Sequence, residues 1–187
     1  SNTSLETMGH NAFAKCKNLI NVNISNTPLK IIEDCVFYEC TSLEFIDLSQ
    51  TEVESIWYEA FRGCVNLQRV IFPASLKQIR MQAFRDTRLE SIDLYNTMVE
   101  SIGYRAFCDC CPRTVIFPAS LKEIKREAFN SNALTRIDLS HTQIQFIEDK
   151  AFSYCYNLEH VVLPSSLTNI RKQSYTDNET EFIHARR

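Results

Sequence analysis

Glycine is nearly missing from this sequence, with three in 187 residues, and proline contributes only five. Scarcity on that scale excludes a glycine-rich phosphate cradle, collagen-like packing and a glycine- or proline-rich low-complexity linker. No run of roughly 18 consecutive apolar residues occurs, so no membrane-spanning helix and no direct membrane insertion are expected. Neither sign of charge prevails, since 20 Lys and Arg stand against 23 Asp and Glu for a net charge of −3. The basic residues are scattered, and no nucleic-acid partner is expected. With four His and no pair of C-x-x-C knuckles, no metal site is expected and no cofactor is implied.

What the chain does have is recurrence. A phrase built on Ala-Phe, worn in places, returns eight times with its aromatic residue at Phe13, Phe37, Phe61, Phe84, Phe107, Phe129, Phe152 and Tyr175. Successive intervals are 24, 24, 23, 23, 22, 23 and 23 residues. A fixed period of this length marks a solenoid, in which each unit is too small to bury its apolar face alone. After Phe61 the form L-x-x-V-x-F (Leu67, Val70, Phe72) leads through Leu76 and Ile79 to the next Ala83-Phe84, and Leu43, Ile46 and Leu48 hold the same frame one unit earlier. Apolar residues two apart predict a strand with one face buried. Ala60, Phe61 and Cys64 suit a short helical turn. Each unit is expected to run strand, turn, brief helical or 3₁₀ segment, and return.

The phrases A-F-x-x-C-x-x-L-x-x-I-x-L (Ala60 to Phe72, Ala151 to Leu163) and F-P-A-S-L-K-x-I (Phe72 to Ile79, Phe117 to Ile124) resemble the BspA-like class of leucine-rich repeats. The resemblance implies an α/β leucine-rich-repeat solenoid of about seven repeats over residues 5–175, followed by a polar C-terminal tail over 176–187. Its parallel β-sheet would lie on the concave face, with short helical or 3₁₀ segments on the convex side. It also implies a non-enzymatic adhesion module of a cell-surface or secreted protein, with a host or cell-surface protein as ligand. The expected free cysteines keep an intracellular location open.

Two kinds of repeat alternate. One reads D-L-S-Q-T (Asp47 to Thr51), D-L-Y-N-T (Asp93 to Thr97) and D-L-S-H-T (Asp138 to Thr142), with N-I-S-N-T at Asn23; the other reads I-F-P-A-S (Ile71 to Ser75, Ile116 to Ser120) and V-L-P-S-S (Val162 to Ser166). Strand side chains alternate faces, so the residue between two buried positions points outward. That column runs Asn23, Asp47, Ile71, Asp93, Ile116, Asp138, Val162, and the column two residues earlier includes Phe45, Arg69, Arg136 and His160. A mixture of aromatic, aliphatic and Arg side chains is the composition of a protein-binding face. Weak exposed pairs of Arg69 with Asp93 and of Arg136 with Asp138 are the plainer reading of the same residues. The Asp-Leu-Ser-x-Thr phrase is expected to bond turn amides.

Five of eight Cys, at 16, 40, 64, 110 and 155, fall three residues after the aromatic and are expected to be buried free thiols serving as apolar filler. Asp138, Ser140 and His160 superficially suggest a nucleophilic triad, but no oxyanion hole or nucleophile elbow accompanies them. An open strand edge at Val22 and Ile24 supports the alternative of a structural or self-assembling module, a homo-oligomer through its terminal repeats.

Overall fold

The computed structural model describes residues 4–171 and 173–175, and the backbone of 181–184. Each coil of the chain contributes two short strands, and the fifteen described strands are numbered in chain order. The first column comprises β1 (Asn21–Val22), β3 (Phe45–Asp47), β5 (Arg69–Ile71), β7 (Ser91–Asp93), β9 (Thr114–Ile116), β11 (Arg136–Asp138), β13 (His160–Leu163) and β15 (Glu181–His184). The second comprises β2 (Ile31–Ile32), β4 (Ser55–Ile56), β6 (Gln78–Ile79), β8 (Ser101–Ile102), β10 (Glu123–Ile124), β12 (Phe146–Ile147) and β14 (Asn169–Ile170). All pairing is parallel and in register: Ile46 lies opposite Val70, Ile92 opposite Val115, and Ile56 opposite Ile79. The result is a parallel-strand solenoid of about seven turns. Its second sheet is continuous over seven strands.

From β2 to β13 the inward residue of each strand is buried with the Leu and Ile that flank it, so one apolar column runs through the coils. The recurring aromatic rings form a second column beside it. Neighbouring rings from Phe13 to Tyr175 stack with centroids 5.0–5.5 Å apart, within the range of favourable offset stacking. Phe72 and Phe117 add edge-on contacts to Phe84 and Phe129. These are the contacts that a single unit lacks.

The expected helical segments are not there: among the described residues the Ala-Phe stretch is a chain of turns, with no α- or 3₁₀-helix. Residues two before and two after the aromatic take left-handed backbone, as at Cys35 (φ 56°) and Glu39 (φ 53°) around Phe37, and at Arg105 (φ 51°) and Asp109 (φ 59°) around Phe107. A helix cannot continue through such residues. Their alternation sends every second N–H to the next coil, Phe37 N to Ala60 O at 2.8 Å and Glu39 N to Arg62 O at 2.8 Å, while Tyr38 and Cys40 close turns within their own coil at 3.1 Å. Backbone groups that a helix would satisfy internally thus stitch the coils together. No helix among the described residues is long and apolar enough to cross a membrane.

Candidate functional site

Outward residues of the first column stand where the alternation of strand faces puts them. Phe45, Arg69, Asp93, Ile116, Arg136 and His160 are exposed, and Asp47, Ile71, Asp138 and Val162 are half-buried. Arg69 does not pair with Asp93. Its guanidinium lies over the Phe45 ring, 5.7 Å from the centroid, because the ring on the adjacent strand attracts the cation through its negative face. Arg136 does pair, with Nη2 donating to Asp138 Oδ2 at 3.2 Å. Burial tends to raise the Asp138 carboxyl, but hydrogen bonds from Ser140 and Arg136 hold it below the ordinary aspartate value.

The acidic residues of this face also shape its rim. Asp47 Oδ1 accepts the Ser49 N–H at 2.8 Å, Asp93 the Tyr95 N–H at 3.0 Å, and Asp138 the Ser140 N–H at 3.0 Å. Thr51, Thr97 and Thr142 then donate to the carbonyl three residues earlier, each at 2.7 Å. The Pro-Ala-Ser turn works differently, since Ser75 donates to Val53 O at 2.8 Å and Ser120 to Val99 O at 2.9 Å, both on the preceding coil. One repeat type closes its own turn and the other grips the coil before it. Two coils therefore make one locked unit, with Leu48 N bonded to Ile71 O and Leu94 N to Ile116 O, each at 2.9 Å.

Between locked units the first column parts. β5 and β7 are neighbours without ladder pairing, and so are β9 and β11. Hydrogen bonds flank the first gap, from Glu90 N to Gln68 O at 3.1 Å and from Met98 N to Leu76 O at 2.9 Å. Both gaps fall where strands start 22 residues apart (Arg69 to Ser91, Thr114 to Arg136), against 23 or 24 at the paired steps up to β13, although the 21-residue step from β13 to β15 is paired as well. Pro73 and Pro118, just beyond the gapped strands, have no N–H with which to extend a ladder. Each gap opens a cavity, of about 310 Å³ beside Ile71 and Asp93 and about 420 Å³ beside Ile116 and Asp138. Its floor is the inward residue of the Pro-bearing coil. Val70 and Val115 keep 9 and 8 % of their surface, whereas Ile46, whose strand is paired on both sides, keeps none.

One feature beyond this face departs from the sequence reading. The Cys column is not mere apolar filler: the Sγ of Cys40, Cys64, Cys110 and Cys155 donates to the carbonyl of Phe13, Phe37, Phe84 and Phe129, at 3.0, 3.0, 2.8 and 3.3 Å. Cys16 is exposed, while Cys108, off the column, is buried. The triad residues do not assemble. The Ser140 hydroxyl donates to Asp138 Oδ1 at 2.6 Å, and the ionic neighbour of His160 is Glu159, 4.0 Å away. A base bonded to its nucleophile is the first requirement of such chemistry, and Ser140 spends its proton on the turn. Among the described residues no group of three or more His, Cys, Asp or Glu is placed to hold a metal ion.

A family model described as the BspA type leucine rich repeat region matches in six copies, over residues 1–110 and 80–185. No curated protein matches the chain. Among solved structures, a leucine rich cell surface protein from Faecalibacterium prausnitzii is 26% identical with a TM-score of 0.58, over 71% of this chain and 36% of that one. A leucine-rich repeat protein from Bacteroides ovatus is 18% identical with a TM-score of 0.49, over 96% of this chain and 66% of that one. The T. pallidum leucine rich repeat protein is 24% identical with a TM-score of 0.48, over 88% and 73%. The chain thus spans about a third of the length of the Faecalibacterium protein.

Proposed function

Because the chain belongs to the BspA-type leucine-rich-repeat family, we propose that it is a non-enzymatic recognition module that binds a protein partner through the outward face of its first strand column. The observation that carries this reading is the character of that face. It presents a cation–π pair, Arg69 on Phe45, beside an exposed Ile116 and two openings onto apolar floor. Aromatic and Arg side chains next to desolvated pockets are where binding energy concentrates in protein interfaces. A cell-surface or secreted setting, with adhesion to a host or cell-surface protein, is supported by the likeness to the Faecalibacterium cell surface protein.

The test is binding of the immobilised chain to a panel of extracellular and cell-surface proteins by biolayer interferometry. A Phe45→Ala, Arg69→Glu double variant should weaken binding by roughly ten-fold or more, a loss of about 1.4 kcal/mol, with unchanged mass by light scattering. Binding that survives the double variant contradicts the reading.

A second reading, self-assembly through the first coil, is favoured by Phe13 and Ile20, exposed to 37 and 56 % at that end of the solenoid. Concentration-dependent mass in light scattering, lost on Ile20→Asp, would support it; a monomer at all concentrations would remove it.

A further inference from the structure

We propose that the gap between β5 and β7 is a subsite for one cationic side chain, an Arg or Lys of the protein partner. This rests on the recognition reading above and adds the chemistry of one contact. The two gaps are the same site built twice. Ile71 corresponds to Ile116 on one lip, Asp93 to Asp138 on the other, and each floor is a Val. They differ beside the Asp, where the second gap has Arg136 and the first has Ser91.

At the second gap the chain supplies its own cation. Arg136 Nη2 donates to Asp138 Oδ2, and His141 Nε2 lies 2.9 Å from the Phe117 carbonyl oxygen. At the first gap Asp93 uses Oδ1 to accept from the Tyr95 N–H. No Lys, Arg or His nitrogen of the described residues lies within 4.0 Å of its carboxylate. Arg69 lines the same cavity, but its guanidinium is held over Phe45 on the preceding coil. Ser91 is short where Arg136 is long, so the space beside Asp93 stays open. An incoming guanidinium or ammonium can take at Asp93 the place that Arg136 takes at Asp138. Its aliphatic stem would lie along Val70 and Phe72, since long basic side chains bury their stems and keep the charged head on a polar group. A single exposed ion pair is weak, so this subsite contributes register and selectivity within a larger interface.

The probe is N-acetyl-L-arginine N-methylamide, titrated into the isotope-labelled full chain and followed by NMR, with N-acetyl-norleucine N-methylamide as the uncharged control. Shifts should centre on Val70, Ile71 and Asp93, require the charge, and weaken at least three-fold in Asp93→Asn. Ser91→Arg, which copies the second gap into the first, should abolish them. Arg136→Ser should do the opposite and add a second set of shifts at Val115 and Ile116. Absence of probe-dependent shifts in the unaltered chain, or shifts that persist through Asp93→Asn and Ser91→Arg while Arg136→Ser adds none, would overturn the subsite. Probe binding here without loss of partner binding in the Phe45→Ala, Arg69→Glu variant would instead sink the broader reading alone.

Discussion

The thiol of Cys64 donates to the carbonyl oxygen of Phe37, one coil earlier, at 3.0 Å. The same bond recurs from Cys110 to Phe84, and at the corresponding position of the coil between Cys110 and Cys155 the Asn132 amide takes over, donating to Phe107 O at 3.0 Å. At these coils the position holds a small buried donor aimed backwards along the solenoid, whereas Thr87, its occupant between Cys64 and Cys110, is buried but donates to Phe84 O of its own coil at 2.9 Å. That donor role explains the phase of these residues better than volume does.

These thiols make stability fall at high pH. Burial pushes Cys40 up to about 11 and Cys110 and Cys155 up to about 12. A thiol that stays protonated in the fold but ionises in the unfolded chain adds stability that is fully present below about pH 8.5 and is lost as pH rises towards the folded value. Thermal melts should therefore be flat up to about pH 8 and then drop, each such thiol contributing about 1.4 kcal/mol per pH unit. In native buffer Ellman's reagent should modify Cys16 and Cys111 rapidly, and the five buried Cys only on unfolding.

Glu127 should mark the acid limit. Burial tends to raise its carboxyl, but hydrogen bonds and charge from Arg105 and Arg126 outweigh that and hold it below the ordinary carboxylate range. Such a group stabilises above the unfolded carboxylate value, about 4.3, and ceases to as pH falls through the folded one. Glu127→Gln should cost about 1–3 kcal/mol at pH 7, measured by urea denaturation. The gap between variant and unaltered chain should narrow as pH falls below about 4.3 and close as Glu127 takes up its proton in the fold.

Gly103 is one of the three glycines, and the coil spacing depends on it. A Cβ there would lie 2.6 Å from the carbonyl carbon of Arg80 and 2.8 Å from Met81 N. Those are backbone atoms that cannot step aside. Gly103→Ala should lower stability by about 1–3 kcal/mol and loosen the β6–β8 pairing, visible as faster amide exchange in Ser101–Ile102.

Left-handed backbone at non-glycine residues leaves room for improvement. Lys150 has φ 58°, a conformation that costs an L-residue about 1–2 kcal/mol and glycine little beyond its chain entropy. Lys150→Gly should raise the denaturation midpoint or leave it unchanged, and Lys150→Val should lower the stability by about 1 kcal/mol or more.

Much of this architecture was legible in the residues. The 22–24 residue period, the inward Ile and Leu, the stacked rings and the Asp-to-amide turns all follow from local chemistry repeated in phase. The turns around each Phe were not, because Ala60, Phe61 and Cys64 have the spacing of a helical turn, and of the left-handed positions beside the Phe residues only Gly63 among the described residues is glycine, the others holding residues such as Glu59, Gln82 and Arg105. What selects turns over helix is a bond to the next coil, which no local pattern displays. The second strand column, with two-residue strands such as Gln78–Ile79, was missed for the same reason, although the recurring Ile79, Ile102 and Ile124 were its trace. On the candidate face, composition identified the residues but not their partners. Arg69 turns to Phe45, not Asp93, because the ring on its paired strand attracts the guanidinium while β7 lies across the gap.

That parting is most directly tested by amide hydrogen exchange resolved by residue. Successive residues of a strand in a parallel sheet turn their peptide groups to alternate neighbours. Leu48 N bonds Ile71 O, so Ile71 faces β3 while Val70 and Phe72 face β7 across the gap. The Val70, Phe72 and Asp93 amides should exchange about a hundred-fold or more faster than the Ile71 amide, with the same contrast between Val115 and Ile116 at the second gap. Equal protection of Val70 and Ile71 would mean a closed ladder, and would contradict a face that opens between its two-coil units.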